Sequence, residues 1–190
     1  MIEEYKKIIK DKMGERRYTH SVNVSQMALK LAKKYGEDEE KAAIAGVLHD
    51  ITKEMPDEFH LKLFKENDVK LDEVEKRAKK LWHAISGSLY IKNELHIDDK
   101  EIINAVRFHT TGKENMSKFE KIIFVADFIS EDRKFENSKI MRNLAFENLD
   151  QAATYALNMT IKGLLYRNQL VAKDTFKAYN DLIIKNCEDI

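Results

Sequence analysis

One proline, Pro56, and six glycines in 190 residues constrain this chain more than any other feature. Strand-rich folds need a turn signal roughly every 8–12 residues, usually built on Gly, Pro, Asn or Asp. The chain has no Asn-Gly or Asp-Gly pair and no long apolar/polar alternation. Leu, Ile, Lys, Glu and Ala fill the space instead, and these are strong helix formers. With 43% hydrophobic residues the chain can bury a substantial core. These features predict an all-α fold, a single helical bundle over residues 1–190. Its core covers about residues 16–135, with C-terminal helices over 138–187 packing on it.

The apolar spacing predicts a first helix over 2–13, stopped by Gly14, and a second from Thr19 to Tyr35, stopped by Gly36. The second carries Val24, Met27, Ala28 and Leu31 on one face, and His20 lies four residues before Val24 on that face. A third helix starts after Asp38 and ends near His49 and Asp50. Pro56 breaks the chain before a short helix with Phe59, Leu63 and Phe64. Further helices are predicted over 72–80 and 83–95. Asp98-x-x-Glu101 reads as the capping pair of a helix to Phe108. Residues 109–116 read as a loop, and Ser117-x-x-Glu120 as a capping box. Helices at 138–147, 150–167 and 174–187 follow, with Gln169 to Lys173 as a loop.

Lys+Arg and Asp+Glu number 33 each, so the net charge is zero. That balance argues against nucleic acid as partner, because sequence-independent binding needs a basic surface. Apolar runs reach about five residues, as in IIFVA. A membrane span needs about 20, so no membrane partner is expected. The charged N-terminus does not read as a signal peptide. Cys187, the one cysteine, allows no internal disulfide and reads as a passive residue. A soluble, cytoplasmic protein is expected.

The chemistry lies in the histidines. Of six, His60 and His96 sit in charged segments and read as surface residues. His20, His49, His83 and His109 each sit at a helix end or on an apolar face. His49-Asp50 closes the apolar run AAIAGVLHD, and Asp127 falls four residues after Ile123 in IIFVADFIS. An ionised carboxylate there is costly to bury unless it is paired or bound to a cation. Imidazole nitrogen with carboxylate oxygen suits Fe, Mn, Co or Zn. Four such ligands on an octahedral ion leave positions open, as catalytic sites do.

The ordered pattern His…His-Asp…Asp resembles the signature of the HD-domain phosphohydrolases. It is carried by RYTHS, GVLHDITK, HAISG, FHTTG and FVADFI. The longer segments LHDITK, WHAISG, AVRFHTTGKENMS, EKIIFVADFISEDRKF and QLVAKDTFKAYN resemble the YqeK family of symmetrical bis(5′-nucleosyl)-tetraphosphatases, from about residue 16 to 180. The resemblance implies an HD-domain-like bundle and hydrolysis of diadenosine tetraphosphate to two ADP. It makes His20, His49, Asp50 and Asp127 the metal ligands, and implies an iron-type centre and a homodimer. It extends substrate contact to Arg17, His20, Asp50, Ile51, Thr52, Lys53, His83, His109, Thr110, Asp127 and Arg133. The segment Gln169, Leu170, Val171, Ala172, Lys173 and Asp174 completes that surface. Relatives often carry a proline where Lys173 stands.

Within this reading Asp50 binds metal and orients or deprotonates the attacking water. Lys53, three residues on, clamps phosphate; Arg17 and Arg133 offer bidentate forks. The HTTG turn, with Thr110 and Thr111, reads as a phosphate nest. His83 and His109 have two readings: a second metal site bridged by Asp50, or hydrogen bonds to phosphate with proton donation to the leaving group. Phe108, Phe124, Phe128 and Met159 fall at helical spacing and read as core. Two other functions compete. One is a different nucleotide phosphohydrolase, a nucleotidase or a guanosine-tetraphosphate hydrolase. The other is a nucleotide-binding module without turnover.

Overall fold

In the computed structural model, residues 2–135 and 138–188 are described, with the side chains of 186–188 set aside; Cys187 therefore lies outside the described side chains. The described residues form eleven α-helices and one 3-10 turn, and no strand. They are α1 (Ile2–Lys10), α2 (Glu15–Tyr35), α3 (Glu39–Leu48), α4 (Asp57–Glu66), α5 (Glu73–Arg77), α6 (Trp82–Asn93), α7 (Lys100–Phe108), α8 (Lys118–Ile129), α9 (Ser138–Glu147), α10 (Leu149–Tyr166) and α11 (Lys173–Glu188). The 3-10 turn, Lys79–Leu81, precedes α6. The all-α prediction holds. No described helix is long and apolar enough to cross a membrane.

The molecule is organised around α3. Every residue from Ala42 to Leu48 is buried, as expected of a helix that is apolar on all sides. It packs against α1, α2, α7 and α8. Its small residues let α2 come close. A Cβ added at Gly46 would lie 2.7 Å from Ser25 Cα, a backbone atom of α2. Asp38 caps its start, accepting from the Lys41 N–H. Past Leu48 the chain leaves the helix but keeps turning through i→i+3 bonds, including Lys53 N–H to Asp50 O at 2.8 Å. His49 and Asp50 thus emerge from the core at its most crowded point.

Around this centre, α8 packs on α2, α7 and α10, and α10 packs on α9 and α11. One apolar cluster runs from Ile9 to Leu182. The Ser117–Glu120 capping box is present in both directions, and Gly36 ends α2 in the left-handed conformation with φ 71°.

Several boundaries differ from the sequence reading. Helix α1 ends at Lys10, and α2 begins at Glu15, with Gly14 as its N-cap instead of a spacer. The predicted 72–80 helix breaks at Ala78, where ψ turns to 68°, into α5 and the 3-10 turn. Asp99, not Asp98, caps α7, accepting from the N–H groups of Glu101 and Ile102. Its side chain stands at the distance a capping oxygen needs. His96 is exposed as expected, with φ 53°. His60 is not a surface residue: it is 5% exposed and lies 2.7 Å from Ser86 Oγ through Nδ1. Its spacing to Leu63 and Phe64, i+3 and i+4, puts it on the inner face of α4 despite the charged neighbours.

Candidate metal centre

Four helix ends and one helix face converge on a single point. Helix α2 supplies His20 from its first turns, the end of α3 supplies His49 and Asp50, and α8 supplies Asp127. The start of α6 adds His83 and the end of α7 adds His109. His20, His49, Asp50, His83 and His109 are buried, and Asp127 is half-buried. The ring centroids of His20 and His49 are 5.2 Å apart, those of His49 and His109 4.9 Å, and those of His83 and His109 5.1 Å. Donor atoms of His20, His49 and Asp50 come within metal-binding range of one another; so do those of His49, His109 and Asp127, and those of Asp50, His83 and His109.

The hydrogen bonding fixes which nitrogens face inward. His49 Nδ1 donates to Gly46 O at 2.7 Å, and His109 Nδ1 donates to Val106 O at 2.7 Å. A carbonyl only accepts, so Nδ1 carries the proton and Nε2 turns to the centre. His20 Nδ1 donates to Asp132 Oδ2 at 2.7 Å, which is the carboxylate–histidine arrangement that orients metal ligands. His20 Nε2 lies 3.0 Å from Asp127 Oδ1, and His49 Nε2 3.3 Å from Asp50 Oδ2. Yet His20 Nε2, His49 Nε2 and Asp50 Oδ1 are buried without a hydrogen-bond partner. Orphaned inward donors of nitrogen and carboxylate type fit a divalent cation of the Fe, Mn, Co or Zn class.

The electrostatics agree. Burial penalises the charge on Asp50, but His49, His109 and His83 outweigh it and hold the carboxyl well below the usual range. Asp127 is likewise opposed by burial and held well below that range by His20, His49 and Arg133. Burial also opposes a charged His49, yet the Asp50 and Asp127 carboxylates raise it above its ordinary value. A field that draws a proton to Nε2 draws a metal ion there as well, and the ion displaces the proton.

His83 differs from the others. Lys53 Nζ lies 3.0 Å from its Nε2 and 3.2 Å from its Nδ1. Burial pushes His83 down to about 3, so the ring is neutral at pH 7. Its Nε2 is 3.1 Å from both Asp50 Oδ1 and His109 Nε2. Lys53 also lies 3.9 Å from Asp50 Oδ1.

Arg17 donates to Asp50 Oδ2 at 2.7 Å, and Arg133 donates to Asp127 Oδ1 at 2.6 Å. Thr110 Oγ1 has no hydrogen-bond partner, whereas Thr111 Oγ1 is turned away onto Gly112 O. Ile51 is sealed in the core. Thr52 is also buried, donating to His83 O at 2.9 Å, so it supports the ring of His83 from behind. Gln169, Leu170 and Ala172 line a cleft of about 600 Å³ together with Lys53 and Thr110. Lys173 and Asp174 face a separate recess with Asp72, which pairs with Lys173 at 3.4 Å. Val171 is half-buried beside them. Met159, expected in the core, is 41% exposed and lines a second cleft. Asp132 was missed by the sequence reading, although it stands inside the segment ISEDRKF. Asn23, one turn after His20, secures its other oxygen at 3.2 Å.

A family profile described as HD domain matches residues 17–132. A symmetrical bis(5′-nucleosyl)-tetraphosphatase from Halalkalibacterium halodurans is 36% identical over 178 residues, covering 94% of this chain and 95% of that protein. Its counterpart from Bacillus subtilis is 35% identical, covering 95% of this chain and 97% of that protein. Among solved structures, one described as a predicted HD superfamily hydrolase involved in NAD metabolism, from Clostridium acetobutylicum, superposes with a TM-score of 0.94 at 35% identity. It covers 97% of this chain and 98% of that one. The chain belongs to the HD-domain family and, within it, to the symmetrical bis(5′-nucleosyl)-tetraphosphatases.

Proposed function

We propose that this protein hydrolyses diadenosine tetraphosphate symmetrically to two ADP at a metal centre held by His20, His49, Asp50 and Asp127. The observation that carries this reading is the set of inward, unpartnered donors on His20, His49 and Asp50. A divalent cation bound there supplies a Lewis acid that neutralises phosphate charge and makes a water nucleophilic near pH 7.

The chain's own residues do the rest. Asp50, ionised across the neutral range, orients the water rather than storing its proton. Water adds to one of the two central phosphorus atoms, the bridging P–O bond breaks, each half leaves as ADP, and the water's protons pass to bulk solvent. Lys53, Arg17 and Arg133 gather the phosphate oxygens; the two guanidiniums are already aimed at the centre through Asp50 and Asp127. His83 and His109 hold phosphate oxygens rather than a second cation, because the Lys53 ammonium at 3.0 Å from His83 would repel one. Neutral His83 gives one N–H and one lone pair to that task. The first cleft, with Gln169, Leu170 and Ala172, takes one nucleoside.

Iron is the metal we favour among those that the ligand set suits. A homodimer is favoured by the large apolar side chains left exposed late in α10 and along α11, including Tyr166 at 90% and Ile184 at 58%. A single domain is favoured by the continuous core from Ile9 to Leu182, and cytoplasmic residence by the lone cysteine.

The test is a nucleotide panel on metal-loaded protein. Diadenosine tetraphosphate should have the highest kcat/KM. Faster turnover of nucleoside monophosphates or of guanosine tetraphosphate would replace this reading with one of its two competitors, and tight binding without hydrolysis would replace it with a binding module.

A further inference from the structure

A dinucleoside tetraphosphate cut at its middle has a nucleoside on each side of the reacting phosphates. The first cleft accounts for one of them. We infer that the second cleft, walled by Phe124, Phe128, Phe135 and Met159, is the binding site for the other nucleoside, and that its base packs on these side chains. This inference rests on the function proposed above.

The geometry supports it in three ways. The two clefts are separate but share one junction, since Lys53, Thr110 and Thr160 line both. At about 600 and 620 Å³ they are nearly equal, and each lies within the range of small-ligand sites. The second cleft also includes His109 and Asp127, so it opens directly from the metal centre. A four-phosphate chain seated over the junction would send one nucleoside into each.

The chemistry of the second cleft matches a base and its adjoining phosphate. The Phe128 and Phe135 rings meet edge to face at 5.4 Å and 67°. Both are only partly buried, so they leave aromatic surface for a purine to cover. Met159, exposed at 41%, adds a polarisable contact. Arg133 and Arg167 bring two guanidiniums to the same cleft, suited to phosphate oxygens or to stacking on a base. None of the four apolar walls is a metal-ligand candidate. The sequence reading assigned Phe124, Phe128 and Met159 to the core; the structure leaves Met159 and part of Phe128 facing the cleft.

The experiment compares diadenosine tetraphosphate with adenosine 5′-tetraphosphate, which has one nucleoside and can seat it in the first cleft. Phe135→Ala and Met159→Glu are each loaded with metal, checked for metal content, and assayed for the KM of the first compound and the inhibition constant of the second. The KM for diadenosine tetraphosphate should rise about tenfold, some 1.4 kcal/mol, while the inhibition constant moves less than threefold. Equal shifts for both compounds, or none for either, would overturn the second nucleoside site. Met159 is exposed, so its variant reads the cleft even if Phe135→Ala loosens the fold. If the wild-type protein fails to cleave diadenosine tetraphosphate, the proposed function itself is lost, and that outcome is seen before any variant is compared.

Discussion

At the residue scale, three of the histidines at the centre are interpretable because each imidazole has one nitrogen committed outward. Asp132, Gly46 O and Val106 O hold Nδ1 of His20, His49 and His109, leaving Nε2 of each for the centre. This separates two kinds of loss. Asp127→Ala removes a proposed ligand and leaves Arg133 without its partner at 2.6 Å; metal should be lost on dialysis and hydrolysis abolished. Wild-type metal content in that variant, by elemental analysis, would remove Asp127 from the ligand set. Asp132→Asn keeps the ligands but weakens the orientation and basicity of His20. Metal affinity should fall by roughly 10–100-fold, with activity restored at high metal concentration. Activity that stays low at saturating metal would show that Asp132 does something other than position His20.

At the element scale, the end of α3 brings two adjacent candidate ligands, His49 and Asp50, out of the core, and their placement depends on contact with α2. At Gly46 the helices are in close contact, and an added methyl would meet Ser25 Cα at 2.7 Å. Backbone cannot rotate aside as a side chain does. Gly46→Ala should therefore cost about 1–3 kcal/mol and weaken metal binding, since it drives His20 and His49 apart. Unchanged urea stability would show that the two helices can separate freely. The helices themselves were mostly legible in the sequence. The run AAIAGVLHD reads as the end of a helix with Ile44, Val47 and Leu48 inward, and Ser117–Glu120 reads as a capping box. The candidate ligands stood out for the same reason: a charge such as Asp50 or Asp127 is conspicuous in an apolar helix. Other features were not. Asp132 lies beyond the end of α8, where no periodicity reports its direction. His60 was masked by Asp57, Glu58 and Lys62, although its spacing to Leu63 pointed inward. The break at Ala78 and the exposure of Met159 depend on what packs nearby, which one helix's spacing does not carry.

At the scale of the whole molecule, one core holds the proposed ligands, drawn from α2, the end of α3 and α8, so stability and metal binding should be coupled. Acid acts on the same coupling. Burial holds His60 below its ordinary value. The unfolded chain, titrating near about 6.5, therefore binds the proton first as pH falls. Stability contributed by neutral His60 is complete above about pH 6.5 and declines as pH drops below it. His60→Gln should flatten part of that decline between pH 7 and 5 in urea titrations. His83 and His109, also held down by burial, keep the remainder. An unchanged slope would mean that His60 is not a neutral buried group.

The proposed reaction at this centre cuts a dinucleoside tetraphosphate at its middle bridge. Product identification from diadenosine tetraphosphate, with metal-loaded protein and chromatographic separation at early times, tests it most directly. ADP should be the sole nucleotide product, with turnover lost on chelation and regained on adding the metal back. ATP with AMP in equal amounts, or turnover indifferent to metal removal, would contradict it.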